Sequence, residues 1–324
     1  MTLLLTHDDV QKAVSMADAI EAMEAGFREE GDGGVVLPPR TNIKAGKGWL
    51  RVGPVVMEQS GWMGFKAMNL TAGQGVRYQV HLYRIATGAL EAIMDAQFLT
   101  TLRTGATSAV ATRRMARPGA TTVALLGSGA EAKAQLEAMQ VAGFVSSARV
   151  FSPTPANRRA LAADFRQRHG MRIEDAGSAQ EAVDGATIVL AAVKSSETVL
   201  FGRWLKPGMH VNSVGTARRD QREIDVETFA RAARIVVDTR EGVFCEAGDA
   251  VAAKDVVRPK DVQELSAVVA GKASGRESDD EITLFKSVGT GIQDIALASV
   301  IFRNAKSRGI GTDIGEFPYL KKGG

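Results

Sequence analysis

A glycine-rich turn between a strand-like segment and a helix-like segment carries the clearest chemical signal in the sequence. The short apolar run Thr122–Leu126 leads into Gly127, Gly129 and Ala132 in a G-x-G-x-x-A spacing. The first glycine permits a tight turn, the second lets backbone approach a pyrophosphate, and the alanine lets the following helix pack close to the sheet. The phosphate charge would lie at the N-terminus of that helix. The pattern therefore predicts a dinucleotide-binding turn.

A lysine inside an apolar segment is the second candidate for chemistry. Lys66 lies in the run Met63–Met68, which is otherwise free of charge. Most lysines and arginines lie on the solvated surface, and an unpaired charge inside a buried strand would be costly. Lys66 is therefore the cation whose position argues most strongly for a function.

The elements after Pro118 alternate between short apolar strands and helices. The predicted strands are Thr122–Leu126, Ala148–Phe151, Met171–Glu174, Thr187–Val193, Met209–Val214 and Arg234–Asp238. The predicted helices include Glu131–Val141, Asn157–His169 and Ser178–Val183. This alternation is typical of a doubly wound parallel sheet, so the expected fold class is α/β with a Rossmann-type sheet.

The segment before Pro118 mixes the two patterns, which predicts a second, α+β domain. Apolar residues at helical spacing predict one helix from Val10 to Phe27. Pieces separated by Gly and Pro predict strands at Leu50–Val52, Trp62–Met68, Tyr78–Ile85 and Leu90–Asp95. The last long helix, Gln293–Ser307, is expected to return to this domain. The predicted domains are therefore residues 1–116 with 299–324, and residues 117–298.

Several further motifs occur in the order found in a known family. They are Leu37–Arg40, Gly64–Asn69, Leu102–Ser108, Asn212–Gly215 and Ser287–Gly289. With these motifs the sequence resembles the ornithine cyclodeaminase/mu-crystallin family over essentially the whole chain. The run R-T-G-A-T-S followed by the glycine turn is the most specific part of the resemblance.

The resemblance implies an enzyme that binds NAD or NADP and a small 2-imino or 2-keto acid. Members include ornithine cyclodeaminases, alanine dehydrogenases and imine reductases, and they are usually homodimers. It assigns substrate binding and dimerisation to residues 1–116 with 299–324, and dinucleotide binding to residues 117–298. It also implies that Lys66, Arg40 and Arg103 are catalytic and hold the substrate carboxylate near the nicotinamide. Arginine suits that task because it binds a carboxylate through two charge-assisted hydrogen bonds.

The residues expected to bind the dinucleotide come from the fingerprint and from the resemblance. They are Arg103, Thr107, Gly127, Ser128, Gly129, Ala130, Ser152, Thr154, Arg158, Val193, Val214, Gly215 and Ser287. The choice between NAD and NADP stays open, because no Asp or Glu ends the strand Ala148–Phe151, where a carboxylate commonly binds the ribose. Ser152, Thr154 and Arg158 could bind either ribose hydroxyls or a 2′-phosphate.

One departure from the family favours reduction over cyclodeamination. Cyclodeaminases of the family carry an Asp two residues after the Val-Gly pair, whereas this sequence has Ala217 there, with Asp220 as a substitute only from a shifted loop. We expect hydride transfer from NAD(P)H to the C=N carbon of a small 2-imino acid, which gives an L-amino acid. The alternatives are a cyclodeaminase-type ammonia lyase and a non-catalytic, crystallin-like NADPH-binding protein.

A second substrate carboxylate is a finer hypothesis. Arg218 and Arg219 in the loop after the Val-Gly pair, with Arg77 and His81 on a predicted strand, could bind it. The substrate would then be iminosuccinate and the product aspartate. Surface or dimer contacts are the competing explanation for these four side chains.

Composition and charge argue against other classes. The chain has 324 residues, 40 basic and 37 acidic side chains, and a formal charge of +3, which is too little for a nucleic-acid-binding protein. No apolar run approaches the roughly 20 residues that cross a bilayer. Four His and one Cys are too dispersed for a metal site. The lone Cys245 is expected to be a buried apolar residue, and the cytoplasm is the expected compartment.

Overall fold

Two β-sheets organise the chain, and each belongs to its own unit. The structure is a computed structural model and describes residues 1–318 and 320–321. Unit 1 consists of Met1–Arg103 and the residues from Thr290 onward, and unit 2 is Thr104–Gly289. The predicted fold class, a Rossmann-type parallel sheet plus a second α+β unit, is confirmed.

The predicted domain bounds lie later in the chain than the bounds of the units. The prediction divides the chain after residues 116 and 298, whereas the units change after Arg103 and Gly289. The first unit border falls inside one continuous helix, Gln97–Met115, where the sequence pattern shows no break. The functional roles of the two domains stay predictions. Residues 319 and 322–324, in the last part of the predicted first domain, lie outside the described residues.

Unit 1 contains a mixed sheet and helices from both ends of the chain. Its strands are β1 (Leu3–Leu5), β2 (Val35–Val36), β3 (Thr41–Ala45), β4 (Gly48–Met57), β5 (Trp62–Thr71), β6 (Gly75–Arg84), β7 (Leu90–Asp95) and β16 (Thr312–Asp313). Its helices are α1 (His7–Ala13), α2 (Met16–Gly31), the start of α3 (Gln97–Met115) and α11 (Gly291–Arg308).

The sheet of unit 1 is covered by helices on one face. Its strand order is β16-β1-β7-β6-β5-β4-β2, with β3 paired to β4, and β4 to β7 are antiparallel neighbours. Helix α11 contacts β4, β5 and β6 and packs along α2. The two helices approach closely at Gly26, where an added Cβ would lie 3.0 Å from the Ala296 Cβ. Trp62 of β5 packs edge-on against Phe302 of α11 in this core.

The opposite face of the same sheet carries many apolar side chains that are only partly buried. We call it the outer face; its partly buried or exposed members include Leu4, Leu50, Val52, Val56, Met63, Phe65, Tyr83 and Ile93. Alternation along each strand places these side chains opposite the helix-covered face. Unit 1 therefore presents a surface rich in apolar side chains, to which β6 adds Arg77 and His81.

The single helix predicted from Val10 to Phe27 is wrong, because two helices occur there. α1 ends at Ala13, and Val14 has extended backbone. Ser15 caps α2 through a reciprocal capping box with Asp18, which is a strong helix start. The apolar spacing continues through this break, so spacing alone could not show it.

Unit 2 alternates strands and helices along the chain. Its strands are β8 (Thr122–Leu126), β9 (Ser147–Phe151), β10 (Ile173–Asp175), β11 (Ile188–Ala191), β12 (His210–Ser213), β13 (Arg234–Val237), β14 (Gln263–Glu264) and β15 (Thr283–Lys286). Its helices are the rest of α3, α4 (Ala130–Val141), α5 (Pro155–His169), α6 (Ala179–Val183), α7 (Val226–Arg231), α8 (Arg240–Glu246), α9 (Gly248–Ala252) and α10 (Leu265–Val269).

The sheet of unit 2 is parallel throughout and has the strand order of a doubly wound fold. The order is β10-β9-β8-β11-β12-β15-β13-β14. It reverses between β8 and β11, and in such sheets ligands bind outside the carboxyl ends of the strands at this switch point. Strands buried on both faces read as continuous apolar runs, as β11 does.

Within the described part of the chain, no helix combines the length and the apolar character that a membrane span requires.

Candidate substrate and cofactor sites

Lys66 lies on the helix-covered face of β5 and is paired with a carboxylate of α11. Its Nζ donates to Asp294 Oδ1 at 2.7 Å and to Thr100 Oγ1 at 3.4 Å. Lys66 is 6% exposed and Asp294 is 4% exposed. The positive charge of Lys66 is therefore balanced by the carboxylate of Asp294, which belongs to the same unit.

Arg103 binds the same carboxylate. Its Nε lies 3.3 Å from Asp294 Oδ1, and its Nη1 donates to Gln293 Oε1 at 2.5 Å. Arg103 is also buried. Lys66 and Arg103 consequently share Asp294 as a counter-ion.

Arg40 lies beside this pair, in the segment between β2 and β3. An added Cβ at Gly53 would lie 3.8 Å from the Arg40 Cβ, and Gly53 is the cross-strand partner of Lys66. The charge of Arg40 also acts on the pKa of Lys66. The structure thus brings together the three predicted catalytic cations, whose catalytic roles stay predictions.

The charge state of Lys66 is tuned by this environment. Burial lowers its pKa to about 8, the charges of Arg103 and Arg40 act in the same direction, and Asp294 opposes them. A lysine with such a pKa can hold or release its proton near neutral pH. The cluster holds three cationic side chains, of which Lys66 and Arg103 pair with Asp294, and such side chains can bind the carboxylate of a substrate through charge-assisted hydrogen bonds.

Sequence reasoning missed Asp294 and Gln293. Both lie in the first turn of α11 and are buried. The available signal was two adjacent polar residues in an otherwise apolar helix start, G-I-Q-D-I-A-L-A, since buried polar groups need partners.

The glycine turn of unit 2 has the conformation that the fingerprint requires. Gly127 has φ +121°, and an added Cβ would lie 2.7 Å from the Ala192 carbonyl oxygen and 3.3 Å from the Ala132 Cβ. Gly129 is the N-cap residue of α4, and a Cβ added to it would meet no atom within 4 Å. Ala130 begins the helix. An open N-terminus of a 12-residue helix fits the phosphates of a dinucleotide.

The turn after β9 lies against the glycine turn. Ser128 Oγ donates to Ser152 Oγ at 2.9 Å, and Thr154 is exposed two residues later. Arg158 is only 9% exposed and donates to the Ser152 carbonyl at 2.9 Å, with Asp175 at 3.6 Å. The guanidinium of Arg158 therefore stabilises this turn and is largely shielded from solvent.

The loops after β11 and β12 meet at the same edge of the sheet. An added Cβ at Gly127 would lie 3.2 Å from Val193 Cγ1, and one at Gly215 would lie 2.3 Å from the Val193 backbone. Val214 N–H donates to the Ala191 carbonyl at 3.0 Å. The structure brings these four predicted residues together in unit 2.

The loop after β15 is held by a buried aspartate that sequence reasoning missed. Asp238 accepts from Ser287 Oγ at 2.6 Å and from the backbone N–H groups of Val288 and Gly289 at 3.0 and 2.6 Å. Ser287 N–H donates to the Ser213 carbonyl at 3.1 Å, so Ser287 lies beside the end of β12.

Two predicted cofactor residues lie on α3. Thr107 is buried within unit 2, and Arg103, four residues earlier, belongs to unit 1. The binding roles of all the predicted cofactor residues stay predictions.

The side chains proposed for a second carboxylate are engaged elsewhere or lie on another surface. Arg218 donates to both oxygens of Asp220 at 3.0 and 2.6 Å, and Arg219 donates to the Cys245 carbonyl at 2.6 Å. Arg77 and His81 lie on the outer face of β6, opposite the face of Lys66.

Two further details bear on the sequence-based expectations. Burial lowers the pKa of His81, which favours a neutral ring that does not attract a carboxylate. The expectation of a buried Cys245 is wrong, because its side chain is exposed on α8.

Among residues 1–318 and 320–321, no group of three or more His, Cys, Asp or Glu side chains is arranged to hold a metal ion.

Comparison with known proteins decides the family. The model of the ornithine cyclodeaminase/mu-crystallin family matches residues 1–309. The chain belongs to this family. The family predicted from the motifs is therefore confirmed.

Curated relatives are similar along nearly their whole length. Alanine dehydrogenase of Archaeoglobus fulgidus is 32% identical over 97% of this chain and 98% of that protein. Mouse ketimine reductase mu-crystallin is 30% identical over 91% of this chain and 94% of that protein.

Solved structures share the fold. Delta(1)-pyrroline-2-carboxylate reductase of Thermococcus litoralis, in complex with NADH and L-proline, is 35% identical with a TM-score of 0.91 over 96% of this chain and 100% of that chain. An archaeal alanine dehydrogenase dimer with bound NAD is 32% identical with a TM-score of 0.91 over 98% and 99%. Iminosuccinate reductase of Paracoccus denitrificans with NAD⁺ is 25% identical with a TM-score of 0.90 over 96% and 98%. At the level of the family, the predicted enzyme class and cofactor type, an NAD(P)-dependent reductase or dehydrogenase, are confirmed.

Proposed function

We propose that this protein reduces a small 2-imino acid to an L-amino acid with NADH or NADPH. The observation that carries the proposal is the burial of Lys66 and Arg103 against one carboxylate, Asp294, with Arg40 near enough for its charge to act on the pKa of Lys66. Relatives that reduce or oxidise the same class of compound, and the open glycine turn of unit 2, support it.

In this proposal the cations bind and orient the substrate. Arg40 and Arg103 donate hydrogen bonds to its 1-carboxylate, and Lys66 adds a third charge and holds a proton at Nζ. Asp294 keeps Lys66 and Arg103 in place before substrate binds. When bound, the reduced nicotinamide supplies the hydride that the imine carbon receives, while the imine nitrogen receives or already carries a proton. Positioning rather than covalent catalysis provides most of the acceleration.

The substrate side chain is the finer part of the proposal. Arg218 and Arg219 are already engaged, which leaves the case for a dicarboxylic substrate resting on similarity to iminosuccinate reductase. Pyrroline-2-carboxylate reductases provide the cyclic alternative. Cyclodeamination is not favoured, because Ala217 replaces the aspartate and Asp220 is held by Arg218.

A substrate screen tests the proposal. We would follow the absorbance of NADH and NADPH with pyruvate or oxaloacetate plus ammonia or methylamine, and with a cyclic 2-imino acid. Steady oxidation with at least one imine is expected. Saturable cofactor binding without turnover on any of them would contradict the proposal and favour a binding protein. Ammonia release from ornithine without net NAD(P)H oxidation would favour a cyclodeaminase.

We also propose that the protein is a homodimer joined through the outer face of unit 1. The apolar, partly exposed side chains of that face supply a surface of the required character. A solved archaeal relative is a dimer. We place the protein in the cytoplasm, as a chain with one cysteine suggests.

A further inference from the structure

A buried charged cluster in unit 2 has no part in the proposed chemistry. Lys286, Asp249 and Glu223 are each at most 1% exposed. Lys286 Nζ lies 2.9 Å from Asp249 Oδ2 and 3.5 Å from Glu223 Oε1, and it donates to the hydroxyls of Ser213 and Thr216 at 2.9 Å. Buried ions of this kind are tolerated only when they are fully paired, and they do not by themselves improve stability.

Glu223 uses both carboxylate oxygens to join two loops. Its Oε2 accepts from the Val193 N–H at 3.1 Å, in the loop after β11. Its Oε1 accepts from the Gly215 N–H at 2.8 Å and from Ser213 Oγ at 2.6 Å, at the end of β12. One buried carboxylate thus fixes the carboxyl ends of two adjacent parallel strands.

The loops that contain Val193 and Gly215 are in close contact, so a shift of one loop would displace the other. An added Cβ at Gly215 would lie 2.3 Å from the Val193 backbone and 2.4 Å from Glu223 Oε2. Val193 also lies beside the glycine turn, because an added Cβ at Gly127 would lie 3.2 Å from Val193 Cγ1. The position of this edge of the sheet therefore depends on the carboxylate.

The strand order indicates which half of a dinucleotide the loops after β11 and β12 would bind. Doubly wound sheets bind one mononucleotide on each side of the switch point. The glycine turn and the β9 end belong to the half with β8, β9 and β10, whereas Val193 and Gly215 follow β11 and β12 in the other half. In dinucleotide enzymes of this fold, the fingerprint half takes the adenosine.

We propose that Glu223 is a positioning residue that holds the Val193 and Gly215 loops in place to receive the nicotinamide half of the cofactor. The inference rests on the proposed dinucleotide binding. Lys286 and Asp249 act through Glu223 and Ser213 by holding that carboxylate and hydroxyl in place.

The test compares NADH with ADP-ribose, which lacks the nicotinamide. Glu223→Gln keeps the shape but has a single acceptor oxygen, so one of the two loops loses its anchor. In calorimetric titrations we expect the variant to bind NADH about tenfold more weakly. The affinity for ADP-ribose should stay within about twofold of the wild-type value, because the half of the site formed by β8, β9 and β10 is unchanged. Glu197→Gln removes the same charge from an exposed position of the loop between β11 and β12 and should bind both ligands like the wild type.

Different failures are distinguishable. If the wild-type protein binds neither NADH nor NADPH, the proposed function fails. If it binds NADH and Glu223→Gln binds both ligands as tightly as the wild type, or loses both equally, the positioning role is overturned. If Glu223→Gln does not fold, Glu223→Asp retains the charge that Lys286 needs but retracts it from the two loops. A folded Glu223→Asp variant with unchanged NADH affinity would overturn the inference as well.

Discussion

Lys66 and Arg103 already share Asp294, so a substrate carboxylate would meet two partly compensated cations. This arrangement lets unit 1 bury two positive charges before substrate is present, which an empty anion site could not do without a large desolvation cost. Arg40 adds a charge that is less buried. The cations can therefore stay buried in the folded protein when no substrate is bound, and they remain able to bind a substrate carboxylate.

Replacing Lys66 with methionine should separate turnover from cofactor binding. The change removes the ammonium group and keeps an unbranched side chain, and Asp294 keeps Arg103 as a partner. We expect the rate of imine reduction to fall about a hundredfold or more, with NADH affinity unchanged. Lys47→Met, in the exposed turn before β4, is the control. Unchanged turnover in Lys66→Met would remove this lysine from the site.

The pKa of Lys66, about 8, predicts the pH dependence of the reaction. If the protonated ammonium binds the substrate, kcat/KM should fall as the pH rises through this value, because the charge is then lost. Lys66→Arg stays protonated over this range, so any activity it retains should lack the fall. A wild-type profile identical in shape to that of Lys66→Arg would contradict the role.

Asp294→Asn should move that fall to lower pH. Asp294 opposes the lowering of the Lys66 pKa, and its amide would leave Lys66 and Arg103 as two neighbouring cations without their shared anion. The readout is the pH profile of kcat/KM, with the exposed Asp255→Asn as the control. A profile that is unchanged, or shifted upward, would show that Asp294 does not set the charge of Lys66.

At the scale of elements, the turn between β8 and α4 contains two glycines with different roles. Gly127 is needed for the fold of the turn, whereas Gly129 is expected to leave room for the cofactor. Gly127→Ala places a Cβ at positive φ and 2.7 Å from a carbonyl oxygen, so it should lower the free energy of unfolding by about 1–3 kcal/mol.

Gly129→Ala has the opposite expectation. Its φ is −79° and an added Cβ meets nothing within 4 Å, so thermal unfolding should be unchanged. NADH binding should weaken about tenfold or more, because the methyl group enters space that the pyrophosphate would need. Fluorescence titration with NADH measures it, and wild-type affinity would refute the binding role of this turn.

The elements that the sequence predicted best are those with local signals. β8 was expected at Thr122–Leu126 and occurs there, because an apolar run that ends in a glycine turn is unambiguous. β15, Thr283–Lys286, was missed because a strand ending in lysine does not look buried. Only contacts with Glu223, Asp249 and Ser213 make that lysine acceptable in the core. Partners so distant in sequence leave no local pattern.

The candidate site follows the same rule. Arg40, Lys66 and Arg103 were found through motifs, and the structure places them together. Asp294 was missed because its pairing with Lys66 spans 228 residues. The second-carboxylate hypothesis failed to anticipate that Arg218 and Arg219 have partners of their own nearby.

At the scale of the whole molecule, the outer face predicts the oligomeric state. Leu50 is 40% exposed there, and Leu50→Asp would place a charge in the proposed interface. Light scattering should give twice 34.4 kDa for the wild type and a shift toward the monomer for the variant. Val141→Asp changes a similarly exposed apolar residue of unit 2 and should stay dimeric. A dimer unaffected by Leu50→Asp would place the interface elsewhere.

The division of unit 1 between the two ends of the chain has a consequence for biosynthesis. Unit 2 is one continuous stretch and can complete its sheet as soon as it has left the ribosome. The sheet of unit 1 is synthesised first but must wait for α11, which covers it and brings the only anion bound by both Lys66 and Arg103 among the contacts described. Premature termination after Gly289 would thus leave the sheet without the helix that covers it and Lys66 and Arg103 without the Asp294 carboxylate, a product that we expect chaperones and proteases to remove.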